Sequence, residues 1–459
     1  MFSSKVNSIM SLLNQGGATE VLVVGGYVRD HILGLPSKDI DLEVYGLDYA
    51  RILEILQPHF RANLVGQSFG VLKIDNEIDV ALPRRESKQG IGHKGFDIKS
   101  DPDLDPMAAF ARRDFTINAI GMRQDGTLVD PYHGADDLER KVLRATSIAF
   151  KDDPLRVLRG MQFASRFGFT MDEQTITWCR EVFSEFPTLS EERIYMEWEK
   201  WATKGLHPSL GLDVLLQTGW IAGFPELQAL VGCEQSPQWH AEGDVWEHTK
   251  MVCDAMGELI RQAQSSDEPF TQEEQIVLMF AALLHDLGKP ETSVLGDDGL
   301  IHSYGHAAAG GVLAESFLRR MRAPVRVFET VCPLVTEHMA FFDGAETGLK
   351  GVRRLACRLT PANVRLWAYL CQADSLGSHP VSGPSGFSME HWLDLARQAS
   401  VKNEKPHPLV QGRDLLPLGI PPGIDMGVIL DFAYEGQLDG EFDSTESGLE
   451  YLRRFGKIF

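Results

Sequence analysis

Two aspartates lie two residues apart in residues 39–45, a stretch with the pattern of a β-strand. Successive side chains of a strand point to opposite faces, so Asp39 and Asp41 share one face while Ile40 and Leu42 face a core. Two adjacent carboxylates repel each other and suit Mg²⁺, whose other ligands are usually waters and phosphate oxygens. Such ions can activate an attacking oxygen and stabilise a leaving one in phosphoryl transfer. The alternative is a surface strand with solvated acids.

A pair of glycines precedes this strand. Residues 21–24 form an apolar run that predicts a buried strand, and Gly25 and Gly26 end it. Because glycine has no Cβ, the backbone N–H groups could come close to a triphosphate. The helical spacing of residues 27–35 puts Arg29 in the first turn of a helix. Two glycines, an arginine and an Asp-x-Asp strand in this order are far more specific than Asp-x-Asp alone, and they predict a nucleotide-phosphate site.

A third carboxylate, Asp79, lies on a predicted neighbouring strand, residues 77–82. It could act as a general base on a hydroxyl group or complete a metal site, and the alternative is an acid on an edge strand. The segment that follows carries Arg84, Arg85 and Lys88 and then several glycines. This composition predicts a mobile basic loop.

Two adjacent arginines come next. Arg112 and Arg113 stand beside Asp114, just before a buried segment. Guanidinium groups present forked donors that suit a triphosphate. The alternative is a surface salt bridge.

Two helical segments beyond residue 146 carry further charged pairs. Asp153, Arg156 and Arg159 are spaced i, i+3 and i+6, which predicts that they lie near one helix face. An aspartate and an arginine on one face could pair with the Watson–Crick edges of a base. Arg193 and Glu197 are spaced i, i+4, so Arg193 could contact the nucleotide or form only an intrahelical ion pair.

A second set of residues has the composition of a metal site. Histidines recur through a helical region, and one of them is followed directly by an aspartate at the polar end of an apolar helix. Clustered His and Asp suit divalent transition metals, and metal-bound water could attack a phosphoester. Lys289 could stabilise phosphate charge. The candidate ligands are His248, His285, Asp286, His306, His338 and Asp374, with His302 as a less favoured alternative to His306.

Composition limits the class of protein. The 459 residues carry a net charge of −21, which argues against broad non-specific binding of nucleic acid but allows local basic patches. We find no 18-residue apolar run, so we predict no transmembrane helix and no membrane partner. The N-terminal stretch predicts a first helix rather than a signal peptide. Six cysteines without a C-x-x-C pair predict reduced thiols in a cytoplasmic protein.

Changes of pattern along the chain predict four parts. Residues 1–145 mix helical and strand patterns, and the predicted strands cover 21–24, 40–45, 70–74, 77–82 and 117–122. Helical patterns then continue and become rich in histidine. The other predicted parts are a helical part at 146–235, which the family resemblance given next implies is a neck and body that selects the nucleotide, a histidine-bearing domain at 236–380, and a linker with a C-terminal tail at 381–459.

These segments, in this order, resemble the class II tRNA nucleotidyltransferases, the bacterial and eukaryotic CCA-adding family with its poly(A) polymerase relatives. The resemblance covers residues 20–200 in five blocks. It implies an α+β fold, in which a polymerase-β-like nucleotidyltransferase head with a mixed sheet precedes an all-α neck and body. Asp152 stands where the family usually has Glu, and Gln162 where it often has Arg. Both departures leave nucleotide choice open.

The resemblance also implies roles for individual residues. Asp39 and Asp41 would hold Mg²⁺, and Asp79 completes the predicted catalytic set. Asp153 and Arg156 would act as an amino-acid template that selects CTP and then ATP. The basic segment after Asp79 resembles the flexible loop of enzymes that add the terminal A. The predicted nucleotide-binding residues are Gly25, Gly26, Arg29, Arg112, Arg113, Asp114, Asp153, Arg156, Arg159 and Arg193.

The histidine series resembles the HD phosphohydrolase superfamily, because the order H…HD…H…H…D is complete from His248 to Asp374. The resemblance implies a site for Ni, Mn, Co or Fe. It also implies 2′,3′-cyclic phosphodiesterase, 2′-nucleotidase or phosphatase activity. Residues 412–427 resemble the C-terminal segment of several CCA-adding enzymes, and a Pro-Pro-Gly turn there could offer helix N-terminal N–H groups to a tRNA phosphate.

The predicted function is therefore addition of CMP and AMP units to the 3′ end of tRNA, from CTP and ATP, with release of pyrophosphate. One alternative is a sibling enzyme that adds only A, only CC, or poly(A). A second is an HD phosphohydrolase whose nucleotidyltransferase half only binds tRNA. A third is a non-catalytic RNA-binding protein.

Overall fold

The computed structural model describes residues 2–37, 39–65, 71–88, 96–341, 348–379 and 387–458. The chain divides into two compact units, Met1–Gly223 and Phe224–Phe459. Each unit buries its own apolar residues. The division into four parts stays a prediction.

The first unit opens with a mixed α and β region. Its helix α1 buries Val6, Ile9, Met10 and Leu13 against the sheet that follows. The elements are α1 (Ser4–Gln15), β1 (Glu20–Val24), α2 (Gly26–Ile32), β2 (Ile40–Tyr45), α3 (Tyr49–Leu56), β3 (Ala62–Val65), β4 (Val71–Ile74), β5 (Ile78–Ala81), β6 (Arg84–Lys88), β7 (Phe96–Ser100), α4 (Pro106–Phe110), β8 (Gly121–Met122), β9 (Leu128–Val129) and α5 (Gly134–Arg140).

Seven of these strands form one mixed sheet in the order β3-β4-β5-β2-β1-β8-β9. β2 lies between β5 and β1; it pairs in parallel with β5 and antiparallel with β1. The register places Asp41 of β2 opposite Asp79 of β5 on one side and Val24 of β1 on the other. The sheet thus brings together residues from three separate stretches of sequence.

The rest of the first unit is helical. α6 packs against both α8 and α9. Gly168 ends α6 in the left-handed conformation (φ +70°), which glycine adopts without strain. The elements are β10 (Val142–Leu143), α6 (Leu155–Phe167), β11 (Thr170–Met171), α7 (Glu173–Glu181), α8 (Glu191–Lys204) and α9 (Pro208–Gln217).

In its described residues, the second unit is a helical assembly with one small hairpin. α12 is buried from Ile276 to Leu284 and begins with a capping box between Thr271 and Glu274. The elements are α10 (Pro225–Gln228), α11 (Val245–Gln264), α12 (Gln272–Leu284), α13 (Lys289–Thr292), β12 (Val294–Leu295), β13 (Ile301–His302), α14 (His306–Arg320), α15 (Val325–Glu337), α16 (Leu349–Leu359), α17 (Val364–Gly377), α18 (Met389–Gln398), α19 (Gly412–Leu415), α20 (Ile424–Asp439) and α21 (Thr445–Arg454).

The predicted α+β class, a mixed sheet followed by helices, is confirmed, and three local predictions are wrong. The strand predicted at 117–122 is a 3₁₀ turn, Thr116–Asn118, followed by the two-residue strand β8. The basic segment after Asp79 forms strands β6 and β7 of an antiparallel hairpin rather than a loop, because the backbones of its two ends pair with each other. Residues 89–95 between these strands lie outside the described residues. The helix predicted at 27–35 ends at Ile32.

Strand β3 was not predicted. Its four residues carry no clear alternation of polar and apolar side chains, and pairing with β4 defines it. Within the described ranges, we find no helix with the length and apolar character needed to cross a lipid bilayer.

Candidate active sites

Three carboxylates meet at the beginning of β2. Asp39 lies just before the strand, Asp41 is its second residue, and Asp79 lies level with Asp41 on β5. Partial loss of water around Asp41, together with the negative charges of Asp79 and Asp39, raises its pKa, and Arg113 acts in the opposite direction. Lys73 Nζ lies 2.9 Å from Asp79 Oδ1 and neutralises that carboxylate. Asp39 and Asp41, both exposed, thus form a carboxylate pair that fits a divalent cation.

The glycine turn between β1 and α2 lies against this carboxylate pair. Gly25 has φ +73°, and a Cβ at this position would lie 3.1 Å from Arg113 Nη1 and 3.9 Å from Asp41 Oδ2. A Cβ at Gly26 would lie 3.4 Å from Arg29 Nη2. Position 25 therefore favours glycine both for its backbone conformation and for the close approach of a charged side chain.

Arg29 is buried in α2 and uses its donors inside the protein. Its Nε donates to Asp30 Oδ1 at 2.8 Å, and its Nη1 donates to Asn118 Oδ1 at 2.6 Å. The guanidinium carbon lies 4.7 Å from the ring centre of Phe167. These contacts fix the start of α2 next to the carboxylates, and direct contact of Arg29 with a nucleotide stays a prediction.

Asp114 extends the same buried network to α6. Its Oδ1 accepts hydrogen bonds from the Phe115 N–H (2.7 Å) and Asn118 Nδ2 (2.9 Å), and its Oδ2 lies 2.7 Å from Arg159 Nη2. Burial opposes ionisation, but Arg159, Asn118 and the Phe115 N–H together lower the pKa of Asp114 to about 2. Two predicted nucleotide-binding residues, Asp114 and Arg159, are therefore an ion pair in this structure.

This ion pair leads to a prediction about stability. A carboxyl pKa lowered from 3.8 to about 2 stabilises the folded state above about pH 4, and this stabilisation disappears as the pH falls towards 2. We expect Asp114→Asn to lower the free energy of unfolding by roughly 2 kcal/mol or more at pH 7 and by clearly less at pH 3. Calorimetry at both pH values measures the difference. The exposed Asp103→Asn is the control, and an equal loss at both pH values would contradict the prediction.

Arg112 and Arg113 share a counter-ion that the sequence analysis missed. Nη2 of each arginine lies 3.4 Å from Oε2 of Glu43, which is 2% exposed, and Oε1 accepts a 2.5 Å hydrogen bond from the Tyr45 hydroxyl. Glu43 follows Asp41 by two residues on the same strand, so the strand pattern placed all three acids on one face. Its link to arginines some 70 residues away had no local signal. Glu43 thus binds two arginines, and one of them, Arg113, also lies beside Gly25 and Asp41.

Asp153 and Arg193 are brought together from different segments. Asp153 precedes α6, and its Oδ2 lies 2.8 Å from Arg193 Nη2 of α8. The alternative of an intrahelical Arg193–Glu197 ion pair is wrong, because Arg193 pairs with Asp153 while Glu197 pairs with Lys200 at 2.8 Å.

Arg156 is directed towards backbone groups. Its Nη1 donates to the Ala149 carbonyl at 2.7 Å and its Nη2 to the Arg112 carbonyl at 2.6 Å. Asp153 lies before α6 and Arg156 lies within it, so the pair does not share a helix face as the spacing predicted. Arg156 therefore joins the start of α6 to the segment that carries the two arginines.

The six predicted HD residues converge in the second unit. They come from the ends of helices: His248 from the first turn of α11, His285 from the end of α12, His306 from the start of α14, His338 from the end of α15 and Asp374 from the last turn of α17, with Asp286 directly after His285. Among these six residues, two groups of three have ligand atoms within 4.8 Å of one another. These groups are His248, His285 and Asp374, and Asp286, His306 and His338.

Hydrogen bonds at the outer nitrogens orient the four imidazoles. Nδ1 of His285, His306 and His338 donates to the carbonyls of Ala282 (2.9 Å), Ser303 (2.7 Å) and Val335 (2.6 Å), respectively. Nδ1 of His248 donates to Glu242 Oε1 at 3.0 Å. Each Nε2 therefore faces the centre of the cluster, as in metal sites where an outer acceptor fixes the ligating nitrogen.

The inner face of the second group consists of acceptors. Burial and the neighbouring His306 and His285 lower the pKa of His338 to about 3, and burial lowers that of His306, so both rings are neutral near pH 7. Their Nε2 atoms are 3.1 Å apart, and Asp286 Oδ1 lies 3.4 Å from Nε2 of His306. Two nitrogen lone pairs and a carboxylate facing one another fit a cation between them. The C-terminus of α15, at His338, adds negative potential.

In the group of His248, His285 and Asp374, a proton on His248 occupies the place where a metal ion could bind. Burial opposes the charge on His248, but Asp374 and Glu242 raise its pKa to about 9. His248 Nε2 lies 3.1 Å from Asp374 Oδ1 and 3.2 Å from His285 Nε2. A metal bound here would displace this proton, so binding would strengthen as the pH rises.

Three supporting residues of this cluster were missed. Glu242 is buried and accepts from both His248 and His240, the latter at 2.7 Å, and Gln235 accepts a 2.6 Å hydrogen bond from Lys289. Lys289 Nζ also lies 2.8 Å from Asp286 Oδ2. The only sequence signal was the nearness of His240 and Glu242 to His248. His302, the less favoured ligand, pairs with Asp298 at 2.9 Å and is not in either group.

Comparisons with known proteins match the two regions of the chain that contain these residues. Residues 21–144 match the family described as the Poly A polymerase head domain, and residues 245–376 match the HD domain. The multifunctional CCA protein of Azoarcus sp. strain BH72 is 36% identical over 384 residues, which cover 82% of this chain and 86% of that protein. This chain belongs to the multifunctional CCA protein family. The multifunctional CCA protein of Aliivibrio salmonicida is 34% identical to this chain, and the match covers 83% of this chain and 92% of that protein.

Solved structures of CCA-adding enzymes share the fold of this family member. The Bacillus stearothermophilus CCA-adding enzyme in complex with CTP has a TM-score of 0.63 at 21% identity and covers 98% of both chains. The Thermotoga maritima CCA-adding enzyme complexed with tRNA-CCA has a TM-score of 0.62 at 18% identity, and the match covers 99% of this chain and 96% of that chain. The family includes CCA-adding tRNA nucleotidyltransferases that carry an HD domain, and this chain has both parts.

Proposed function

We propose that this protein adds CMP and AMP units, in the order CCA, to the 3′ end of tRNA from CTP and ATP, without a nucleic-acid template. The observation that carries the proposal is the meeting of Asp39, Asp41 and Asp79 beside the Gly25 turn, in a member of the multifunctional CCA protein family. Enzymes of the same fold have been solved with CTP and with tRNA-CCA, which supports these partners.

In the proposed reaction the tRNA 3′-hydroxyl oxygen bonds to the α-phosphorus of the nucleotide, and the bond from that phosphorus to the bridging oxygen breaks to release pyrophosphate. Asp39 and Asp41 would hold Mg²⁺, which supplies Lewis-acid stabilisation of the phosphate oxygens when bound. Asp79 is level with Asp41 and either accepts the hydroxyl proton or adds a ligand oxygen. Lys73 keeps a positive charge beside Asp79 in either role.

Arginines would bind the charged nucleotide. Glu43 forms salt bridges with both Arg112 and Arg113, and the Arg113 guanidinium group also lies close to the glycine turn and Asp41. Forked donors held in this way suit the oxygens of a triphosphate. Arg29, Asp114 and Arg159 stiffen the wall of the same site through their buried contacts.

Selection of the base is proposed for Asp153, with Arg156 and Arg193 as supporting residues. We expect Asp153→Ala to reduce the preference for CTP over UTP by about 10- to 100-fold, because a hydrogen-bonding pair on a base edge contributes roughly 1–3 kcal/mol of discrimination. The measurement is kcat/KM for each nucleotide on tRNA that lacks CCA.

The matched control for this prediction is Glu181→Gln, which removes the exposed ion pair with Lys151 near the same helix. Arg193→Gln should shift the CTP to UTP ratio in the same direction as Asp153→Ala, since it removes the partner of Asp153. An equal loss with both nucleotides and an unchanged ratio would contradict a role in base selection.

The experiment that tests the main proposal is extension of tRNA ending at the discriminator base, with Mg²⁺, CTP and ATP. Addition of three nucleotides that then stops supports CCA synthesis. One or two additions indicate an A-adding or CC-adding sibling, and a long A-tail indicates poly(A) synthesis. No addition favours the alternative of a phosphohydrolase whose first unit only binds tRNA.

We also propose that the second unit is a phosphohydrolase for 2′,3′-cyclic, 2′-terminal or related phosphoesters. The residues His248, His285, Asp286, His306, His338 and Asp374 would hold Ni, Mn, Co or Fe, which supplies an activated water when bound. Lys289, paired with Asp286, would place positive charge near the phosphate. Release of phosphate or opening of a cyclic phosphodiester with each metal tests this activity.

Two further parts of the proposal concern the tail and the location. Pro421, Pro422 and Gly423 lead into α20, and we place a tRNA phosphate contact at this turn, within the predicted tail 381–459. All six cysteines are free thiols, which supports a cytoplasmic location.

A further inference from the structure

Three aromatic side chains form a row near the histidine cluster of the second unit. The ring centres of Trp239 and His302 are 6.1 Å apart, and those of His302 and Tyr304 are 5.3 Å apart with an angle of only 10° between the planes. Tyr304 is 79% exposed and Trp239 is 40% exposed. The row therefore offers aromatic surface to solvent, which packing of the protein core does not require.

Both ends of this row lie close in the chain to residues that belong to the candidate metal cluster or support it. Tyr304 is two residues before His306, whose Nδ1 and backbone N–H both contact the Ser303 carbonyl, at 2.7 and 3.2 Å. The Cα atoms of Tyr304 and His306 are therefore at most about 7.6 Å apart, because consecutive Cα atoms are about 3.8 Å apart. At the other end, Trp239 is followed by His240, which shares Glu242 with the candidate ligand His248.

The middle of the row is held firmly in place. His302 belongs to the β12–β13 hairpin and pairs with Val294 across it. Its Nε2 lies 2.9 Å from Asp298 Oδ2, and a 2.8 Å hydrogen bond joins the hydroxyls of Ser293 and Ser303. A Cβ at Gly296 would lie 2.9 Å from the His302 ring. The hairpin thus fixes an imidazole ring in a stack, where it does not serve as a ligand.

We propose that Trp239, His302 and Tyr304 form a base-binding subsite for the phosphohydrolase centre, which takes a nucleoside with a phosphate on its 2′ or 3′ oxygen. This inference rests on the proposed phosphohydrolase function of the second unit. Aromatic faces stack on any base, and such stacking contributes substantially to the binding of single nucleotides. The nucleoside stacks on the row while its phosphate reaches the cluster from the side of His306.

Two kinds of molecule carry the base and the phosphate that this subsite would bind. A free 2′,3′-cyclic mononucleotide and the last nucleoside of an RNA that ends in a 2′,3′-cyclic phosphate present the same base and the same phosphate. A phosphoester without a base, such as glycerol 1,2-cyclic phosphate, presents the phosphate alone. Comparison of these compounds separates the subsite from the metal chemistry.

The experiment measures hydrolysis of 2′,3′-cyclic AMP and of glycerol 1,2-cyclic phosphate by the full-length, metal-loaded protein. Tyr304→Ala is expected to raise KM for the nucleotide by about 5- to 100-fold with little change in kcat, because stacking binds ground state and transition state alike. Its KM for the glycerol compound should not change. Tyr304→Phe should retain the KM of the original protein, and Val312→Ala, which changes an exposed apolar residue on α14, is the control.

The source of the base is settled by a third substrate, a short RNA with a 2′,3′-cyclic phosphate end. An effect of Tyr304→Ala on both this RNA and the mononucleotide identifies the terminal nucleoside of RNA as an occupant. An effect only on the mononucleotide identifies the free nucleotide. An equal effect on the glycerol compound, or no effect on any nucleotide, would overturn the subsite.

A binding measurement keeps this proposal separate from the proposed hydrolysis. If the original protein hydrolyses none of these compounds with any of the metals, the phosphohydrolase proposal fails. Quenching of tryptophan fluorescence by adenosine 2′-phosphate, measured without metal, then tests whether the aromatic row binds a base. Quenching that is lost in Trp239→Phe and weakened in Tyr304→Ala supports the row, and absence of quenching overturns it.

Discussion

Replacement of Asp41 by asparagine is expected to lower nucleotide addition to tRNA by about 10³-fold or more, since loss of a bound cation removes several kcal/mol of transition-state stabilisation. Asp41 is exposed and lies level with Asp79, so asparagine should fit its place without disturbing the sheet. The measurement is the single-turnover rate of CMP addition at saturating Mg²⁺ and CTP. Hydrolysis by the second unit should be unaffected.

The control for Asp41→Asn is Glu77→Gln, an exposed acid between β4 and β5 of the same sheet that pairs with Lys5. It should retain full activity, because its carboxylate lies in a surface ion pair. Thermal unfolding of both variants checks that the sheet is intact. If Asp41→Asn is folded and lowers the rate of CMP addition by less than about 10-fold, the placement of Mg²⁺ on the Asp39–Asp41 pair is contradicted.

The second large effect is expected at Asp286. Asp286→Asn should lower metal-dependent phosphohydrolysis by about 10³-fold and reduce the amount of bound transition metal, because the carboxylate contributes to a group with His306 and His338. CCA addition should continue at its original rate. Hydrolysis rate and metal content measured on the same preparation test both parts of the prediction.

Two further variants make this result interpretable. Asp286 is buried and pairs with Lys289, so its replacement leaves a buried positive charge and could destabilise the unit. His338→Gln avoids that problem, since His338 is neutral near pH 7, and it should also lose metal and hydrolysis. His391→Asn, on the exposed side of α18, is the control. Full hydrolysis in a folded His338→Gln protein would contradict the assignment of the cluster.

Local patterns in the sequence predicted the elements that carry the chemistry. The alternation in residues 39–45 predicted β2 and a common face for Asp39 and Asp41, and the apolar run before Gly25 predicted β1. The histidine and aspartate order predicted all six members of the HD cluster. The strand predictions are confirmed because the side-chain period of a strand is a short-range property, whereas the six-residue series came from its resemblance to the HD superfamily, and its role as a metal site stays a prediction.

Short-range patterns do not predict salt-bridge partners that are distant in the chain. Glu43 binds arginines 69 and 70 residues away, and Asp153 pairs with Arg193 at a separation of 40 residues, where the i, i+4 spacing had favoured Glu197. Short strands such as β3 and the β6–β7 hairpin were also missed, since pairing with another strand rather than composition defines them.

The sequence by itself determined which residue types are available for phosphoryl transfer and for metal binding, and on which local elements they lie. Only the tertiary structure decided which of them meet. Parallel pairing of β2 with β5 brings Asp79 level with Asp41, and the packing of five helices brings four histidines and two aspartates together. Charge and hydrogen-bond partners are chosen in space, because electrostatic energy depends on the distance between groups and on the water between them, and not on their separation along the chain.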